Sequence, residues 1–240
     1  MIHVQPFVQL GRFRNEWLNA RHHFSFSDYH DESRMGVGGL RVWNDDEVAP
    51  GRGFGMHPHK DMEIITYVRE GAITHRDNLG NEGRTEAGDV QVMHAGTGIY
   101  HSEMNTDAAP VRLFQIWIVP NQRGVAPGWA ARKFPKATAQ DNKAEMGGLA
   151  ALADGRAGAD GSALPLYADG AVLAGTIRKG QTVRHTLGQG RVGYLVPATG
   201  TLMVNGVPVN TRDGVTVTAE DTLEITATEE AEVVLVDVAA

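Results

Sequence analysis

Five of the chain's ten histidines, His57, His59, His75, His94 and His101, fall in one short stretch. His57 and His59 stand two apart after the glycine-rich entry Gly51-Arg52-Gly53-Phe54-Gly55, and Glu63 follows four residues later. His101 and Glu103 repeat the two-residue spacing after Gly98-Ile99-Tyr100. On an extended strand, side chains two apart share a face. His57, His59 and Glu63 are therefore expected on one side of a sheet, and His101 with Glu103 on one side of another strand. Two such strands facing each other bring nitrogen and oxygen ligands to one point, which is the chemistry of a metal site. An H-x-H pair alone carries little weight in a histidine-rich chain; the glycine-rich entry, the strand-like exit and the second pair carry it.

The rest of the composition narrows the options. Cysteine is absent, which excludes a disulfide framework, a thiol nucleophile, a zinc ribbon and a Cys-ligated iron–sulfur cluster. Any metal must take imidazole, carboxylate or water. Acidic residues number 29 against 22 basic ones, a formal charge of −7 with no Lys/Arg cluster, so no nucleic-acid footprint is expected. The start, MIHVQPFVQL, lacks a basic region followed by an apolar run, and no stretch approaches the ~18 apolar residues of a spanning helix. A cytoplasmic location away from membranes is the expectation.

The elements that must position these residues read as short strands. Glycine, at 29 residues, is dispersed as turn punctuation. Residues 63–69, 72–75, 89–93 and 111–119 are rich in β-branched and aromatic types. The same grammar returns after residue 170 in AVLAGTI, QTVRHTL, RVGYLV, GTLMVNG, GVTVTA, TLEITA and AEVVLVDV. Tyr67 and its strand align with Tyr194 and its strand, which suggests a duplication. The expected fold is all-β, two antiparallel jelly-roll-like barrels, since closed or stacked sheets dispose of exposed strand edges. An N-terminal metal-binding domain spans 1–135 and a C-terminal domain 164–240. Residues 136–163, rich in Ala, Gly and Asp, form a connector with a short helix around Lys143–Leu152.

The pattern from Gly51 to Gly71 and from Gly88 to Asn105 resembles the paired motifs of the cupin superfamily. The closer resemblance is to the pirin family, including the bacterial pirin-like quercetinases. The segments that carry it are His22-His23-Phe24-Ser25-Phe26-Ser27-Asp28-Tyr29, Gly39-Leu40-Arg41-Val42, His57-Pro58-His59, Gly88-Asp89-Val90-Gln91 and His101-Ser102-Glu103. They lie in the N-terminal half; the C-terminal half matches in overall pattern only. The resemblance implies a bicupin. The general cupin pattern would place the carboxylate ligand at Glu63 and the pirin pattern at Glu103, and the residues alone do not choose. The family resemblance favours His57, His59, His101 and Glu103 as ligands, with Glu63 orienting a ligand imidazole. It implies one divalent transition metal, Fe(II) first, with Cu, Ni, Co, Mn or Zn also compatible with three imidazoles and a carboxylate. It also implies O2-dependent ring cleavage of a flavonol such as quercetin with release of CO, Glu103 serving as ligand and general base. The alternative it implies is a metal-containing redox-sensing regulator acting through a protein partner.

Other residues have plainer expectations. His75 ends a strand before Arg76-Asp77-Asn78 and is expected in an exposed turn; His94 is expected to begin a tight turn. His23 or Asp28 is expected to make structural hydrogen bonds. Phe54, Met56, Met93, Phe114 and Ile116 could line an apolar pocket. In the second half the region matching His57–His59 is Arg184-His185-Thr186-Leu187 and that matching His101–Glu103 is TLEITA, so no second metal site can be assembled there.

Overall fold

The structure is a computed structural model and describes residues 1–133 and 148–240. Among these, a 3-10 turn at Phe7–Gln9 is the only helical element, and the strands form four sheets. The β-branched runs are the strands: Glu63–Glu70, Ala72–Asp77, Val90–His94 and Val111–Ile118 in the first half, and seven matching segments from Gly170–Ile177 to Ala231–Ala239 in the second.

Each half pairs a seven-stranded sheet with a four-stranded one. In the first half the four-stranded sheet runs Gly53–His59, Ile99–Met104, Ala72–Asp77, Glu82–Glu86. Its seven-stranded companion is centred on Val90–His94, Glu63–Glu70, Val111–Ile118 and Leu40–Val48. The second half has the same order: Thr182–Thr186, Thr222–Ala227, Leu202–Val204, Val207–Val209, with Gly214–Val217, Arg191–Pro197, Ala231–Ala239 and Gly170–Ile177 at the centre of the larger sheet. Tyr67 and Tyr194 sit on corresponding strands, so the duplication read from the sequence is structural.

Two segments cross expected boundaries. Ile2–Gln5 pairs with Gly214–Val217, from Ile2 opposite Val217 to Gln5 opposite Gly214, and so completes the C-terminal sheet. There it fills the edge position that Gly128–Arg132 fills in the first half. Residues 143–147 of the expected connector helix lie outside the described residues, and Ala150–Asp154 is a strand paired with Gly170–Ile177. Leu152 and Ala153 are buried there, a docking that outweighs the Ala-rich composition.

The two seven-stranded sheets pack face to face. Trp43, Ile65, Phe114 and Ile116 from one meet Val172, Tyr194, Val234 and Val236 from the other in a single apolar layer. The interior of the C-terminal sandwich is equally apolar, with Leu173, Leu195, Leu223, Ile225 and Leu235 in one cluster. The N-terminal interior differs, because it holds two separate clusters. Val68, Ile73 and Leu113 make one, and Ile64, Met93 and Ile99 the other. Thr66 lies between Ile64 and Val68 in the inward phase of its strand, and Gln115 lies between Leu113 and Trp117 in the inward phase of its own. The gap in the hydrophobic interior is polar, and it is where the histidines point.

Candidate metal centre

The first two histidines sit on an edge strand, where Pro58 costs nothing because its missing N–H would face outward. Gly53 is needed there, since a Cβ on it would lie 2.2 Å from the Glu103 carbonyl oxygen. Gly53–His59 pairs with Ile99–Met104, His57 lying opposite His101, and the register slips by one residue between His101 and Glu103. This bulge falls at Gly55 and Met56. The His57 Nδ1–H donates to the Gly55 carbonyl at 2.7 Å. A carbonyl can only accept, so His57 carries its proton on Nδ1 and presents the Nε2 lone pair.

His57 Nε2 and His101 Nε2 approach to 3.1 Å, and one ligand nitrogen each from His57, His59 and His101 lie within 4.8 Å of one another. Burial, with His57 beside it, lowers the His59 pKa to about 4. Burial and the neighbouring imidazoles lower that of His101 to about 2. Both are neutral near pH 7, as ligands must be. Two nitrogens ~2.1 Å from one ion at right angles stand ~3.0 Å apart, close to the His57–His101 spacing. The donor set therefore fits a single divalent ion, and it is rich enough in imidazole to suit a transition metal rather than Ca or Mg.

Glu103 lies two residues beyond His101 and is buried. Its Oε1 accepts Thr66 Oγ1–H at 3.0 Å and Gln91 Nε2–H at 2.6 Å, while Oε2 accepts Gln115 Nε2–H at 2.5 Å. The amide orientations are fixed from behind, since Gln91 Oε1 accepts the Thr85 hydroxyl and Gln115 Oε1 the Trp117 indole N–H. Every neighbour offers Glu103 a donor, which matches the carboxylate. Burial pushes its pKa up, and Thr66, Gln115 and the nearby histidines oppose that. Oε1 has both lone pairs engaged; Oε2 has one engaged and one open. Thr66 and Gln115 are not among the residues the sequence points to, and Gln91 is there only as the end of Gly88-Asp89-Val90-Gln91, although each is a polar residue at an inward position of an otherwise apolar strand.

Glu63 does not join this group. Asp61, at φ 47°, turns the chain out of the four-stranded sheet, and Glu63 begins a strand of the larger one. The period-two phase that linked it to His57 and His59 ends at that turn. Glu63 Oε2 instead stands 2.6 Å from His94 Nδ1 and accepts the Tyr167 backbone N–H at 3.1 Å, so it orients His94 rather than a ligand imidazole. His94, expected in a turn, ends its strand and places its ring edge-on to Tyr167.

His75 is also corrected. It is fully buried within Ala72–Asp77, stacked on Trp129 with centroids 4.8 Å apart and planes 6° from parallel. Its Nε2 lies 2.9 Å from Asp77 Oδ2, and its Nδ1 lies 3.4 Å from His101 Nδ1. The expected apolar pocket is not assembled either. Phe114 and Ile116 flank Gln115, so they point the opposite way into the central layer. Met56 is exposed, Phe54 packs edge-on to Trp17, and Met93 lies in the cluster with Ile64. The aromatic surface beside the triad is Trp117, edge-on to His59 at 5.0 Å, with Phe26 edge-on to Trp117 at 5.5 Å. His23 makes the expected structural bond, to the Tyr194 hydroxyl at 2.9 Å, whereas Asp28 is exposed. In the second half His185 stands opposite Leu223 on the inward face and bonds the buried Asp237 at 3.0 Å, while Leu223 and Ile225 fill the interior beside it.

The Pirin family model matches residues 4–118, and the model of the quercetinase C-terminal cupin domain matches residues 154–238. A Pseudomonas aeruginosa protein provisionally named a quercetin 2,3-dioxygenase is 56% identical, each chain being covered in full. The quercetin 2,3-dioxygenase of Escherichia coli K12 is 37% identical over 99% of this chain and 98% of its own. The solved structure of the bacterial pirin YhhW from Escherichia coli, in complex with nickel(II), superposes with a TM-score of 0.90 at 35% identity, covering 100% of this chain and 99% of that one.

Proposed function

The chain belongs to the pirin family, and from that premise we propose that it is a metal-dependent dioxygenase that opens the heterocyclic ring of flavonols such as quercetin, consuming O2 and releasing CO. The observation that carries this reading is the polar gap in the N-terminal sandwich, where three imidazoles converge beside a buried carboxylate.

In this reading His57, His59, His101 and Glu103 hold one divalent transition ion, Fe(II) in the first place, with Ni, Co, Cu, Mn or Zn as alternatives of the same ligand preference. The ion supplies Lewis acidity and a common binding point for substrate and O2. The chain's own residues do the rest. The one open lone pair of Glu103, on Oε2, would hold the ion and, once released from it, accept the proton of the substrate's acidic hydroxyl. Thr66, Gln91 and Gln115 keep Glu103 from turning away as its charge changes. Trp117 and Phe26, both half-buried, offer a planar aromatic substrate an edge to pack on. Among its described residues the second half contributes no ligand, and it covers the outer face of the seven-stranded sheet that lies across from the ligand-bearing one.

The test is elemental analysis of the purified protein and of His101→Ala, with O2 uptake and CO release measured on quercetin after loading each candidate metal. Stoichiometric metal in the wild type, its loss in the variant, and ring cleavage with at least one metal are expected. Full metal occupancy without turnover for every metal overturns the enzymatic reading and leaves a regulator acting through a protein partner.

A further inference from the structure

Behind the triad, away from the opening, the ligand His101 is backed by two side chains that the ligand set does not use, His75 and Asp77. Their protons can be assigned from the donors around them. Asp77 Oδ1 accepts the backbone N–H groups of Leu79 and Asn81, at 2.9 and 3.0 Å, and Oδ2 accepts Asn81 Nδ2–H at 2.9 Å. Surrounded by donors, the Asp77 carboxyl lies below the usual carboxylate range: His75 and the Asn81 and Leu79 groups overcome the effect of burial. As an acceptor it requires a proton on His75 Nε2, 2.9 Å away. A neutral His75 then has only a lone pair on Nδ1, and that atom faces His101 Nδ1 at 3.4 Å. The proton between them belongs to His101 Nδ1, which leaves the His101 Nε2 lone pair directed at His57 Nε2.

We propose that His75, held by Asp77, is a positioning residue that locks His101 in the Nδ1–H tautomer and so keeps its Nε2 available as a metal ligand. The inference rests on the metal-site reading above. The surroundings suit the role. His75 is clamped between the Trp129 ring and His101, and Trp129 reaches it only because residue 83, opposite His75 in the next strand, is glycine. A Cβ on Gly83 would lie 2.1 Å from Trp129 Cη2. His57 is served differently, by the Gly55 carbonyl. Two of the three imidazoles thus have their proton placed on the nitrogen away from the site, one by backbone and one by a buried His–Asp pair. Such outer partners fix both tautomer and ring orientation.

Asp77→Asn gives a sharp test. The two backbone N–H groups keep the Asn carbonyl oxygen at the Oδ1 position, so its NH2 faces His75 Nε2. His75 must then carry its proton on Nδ1, and His101 must accept there and hold its own proton on Nε2. The experiment is 15N–1H imidazole correlation NMR on metal-free protein at pH 8, together with Ni(II) titration and circular dichroism. His101 is expected as the Nδ1–H tautomer in the wild type and as the Nε2–H tautomer in Asp77→Asn, with Ni(II) affinity lower by about 10–100-fold. His75→Phe, which keeps the stack on Trp129 but removes the acceptor, is expected to lower Ni(II) affinity with retained β-structure. An Nε2–H His101 in the wild type overturns the proposal, even if both variants fail to fold. So does unchanged tautomer and affinity in folded variants. A wild type that binds no Ni(II), Fe(II) or Co(II) overturns the metal-site reading instead, and the tautomer measurement on metal-free protein tells the two failures apart.

Discussion

Gln115 donates to Glu103 Oε2 across 2.5 Å while its own carbonyl takes the Trp117 indole N–H at 3.2 Å. The carboxylate is thereby tied to the aromatic rim of the site, and one side chain sets both.

Gln115→Leu removes that donor and leaves the buried Glu103 Oε2 and the half-buried Trp117 indole N–H without this partner. A loss of about 1–3 kcal/mol of stability is expected, read as a lowered Tm. Metal affinity is expected to fall by about 10–100-fold because Glu103 is free to rotate. Unchanged metal affinity in a folded variant would show that Glu103 is held well enough by Thr66 and Gln91.

Glu103→Gln keeps the shape and removes the charge. Its new NH2 group faces a ring of donors, so one amide must turn over. Metal is expected to remain on the three imidazoles with weaker affinity, while quercetin turnover is lost. Normal turnover by a fully loaded Glu103→Gln protein would remove Glu103 from the role of base.

Glu63→Gln separates this carboxylate from the metal. Because Glu63 bonds His94 and the Tyr167 N–H, the expected result is a stability loss of about 1–2 kcal/mol with unchanged metal stoichiometry and affinity. A large drop in metal affinity would return Glu63 to the ligand environment.

Acid sensitivity follows from buried neutral histidines. Burial and the nearby Arg34 and Arg212 hold the His23 pKa well below 6.5. The unfolded chain therefore takes up a proton near pH 6.5 that the fold refuses. Stability must fall as pH drops below 6.5, with His23 contributing about 1.4 kcal/mol per pH unit until its folded pKa is reached. His22, His59 and His101, also depressed, act in the same direction. Urea denaturation of metal-free protein at pH 7.5, 6.5 and 5.5 checks this, and His23→Gln is expected to show the shallower slope.

The sequence exposes some features of this protein directly. His57, His59 and His101 are legible because a two-residue spacing survives wherever a strand stays straight, and the doubled strand grammar reveals the two halves. Glu63 departs from its expected place because the same spacing means nothing across the Asp61 turn, whose positive φ no local pattern announces. His75 looked like a turn residue beside Arg76 and Asn78, yet its strand runs on to Asp77 and Trp129 covers it from a distant segment. Gln91 and Gln115 could have been found: each breaks an apolar run at the phase that faces inward. Which partner strand they meet, and hence their convergence on Glu103, is tertiary information.

The placement of Ile2–Gln5 beside Gly214–Val217 reaches beyond architecture into biogenesis. Next to it the Phe7 N–H is bound by Asp213 Oδ1, 206 residues further along the chain. On a ribosome every histidine of the triad emerges long before Gly214–Val217, so Ile2–Gln5 waits as an unpaired edge while the metal-holding half assembles. Such distant pairing slows folding and prolongs exposure to aggregation. The seam between Ile2–Gln5 and Gly214–Val217 closes only after the metal-holding half has been made.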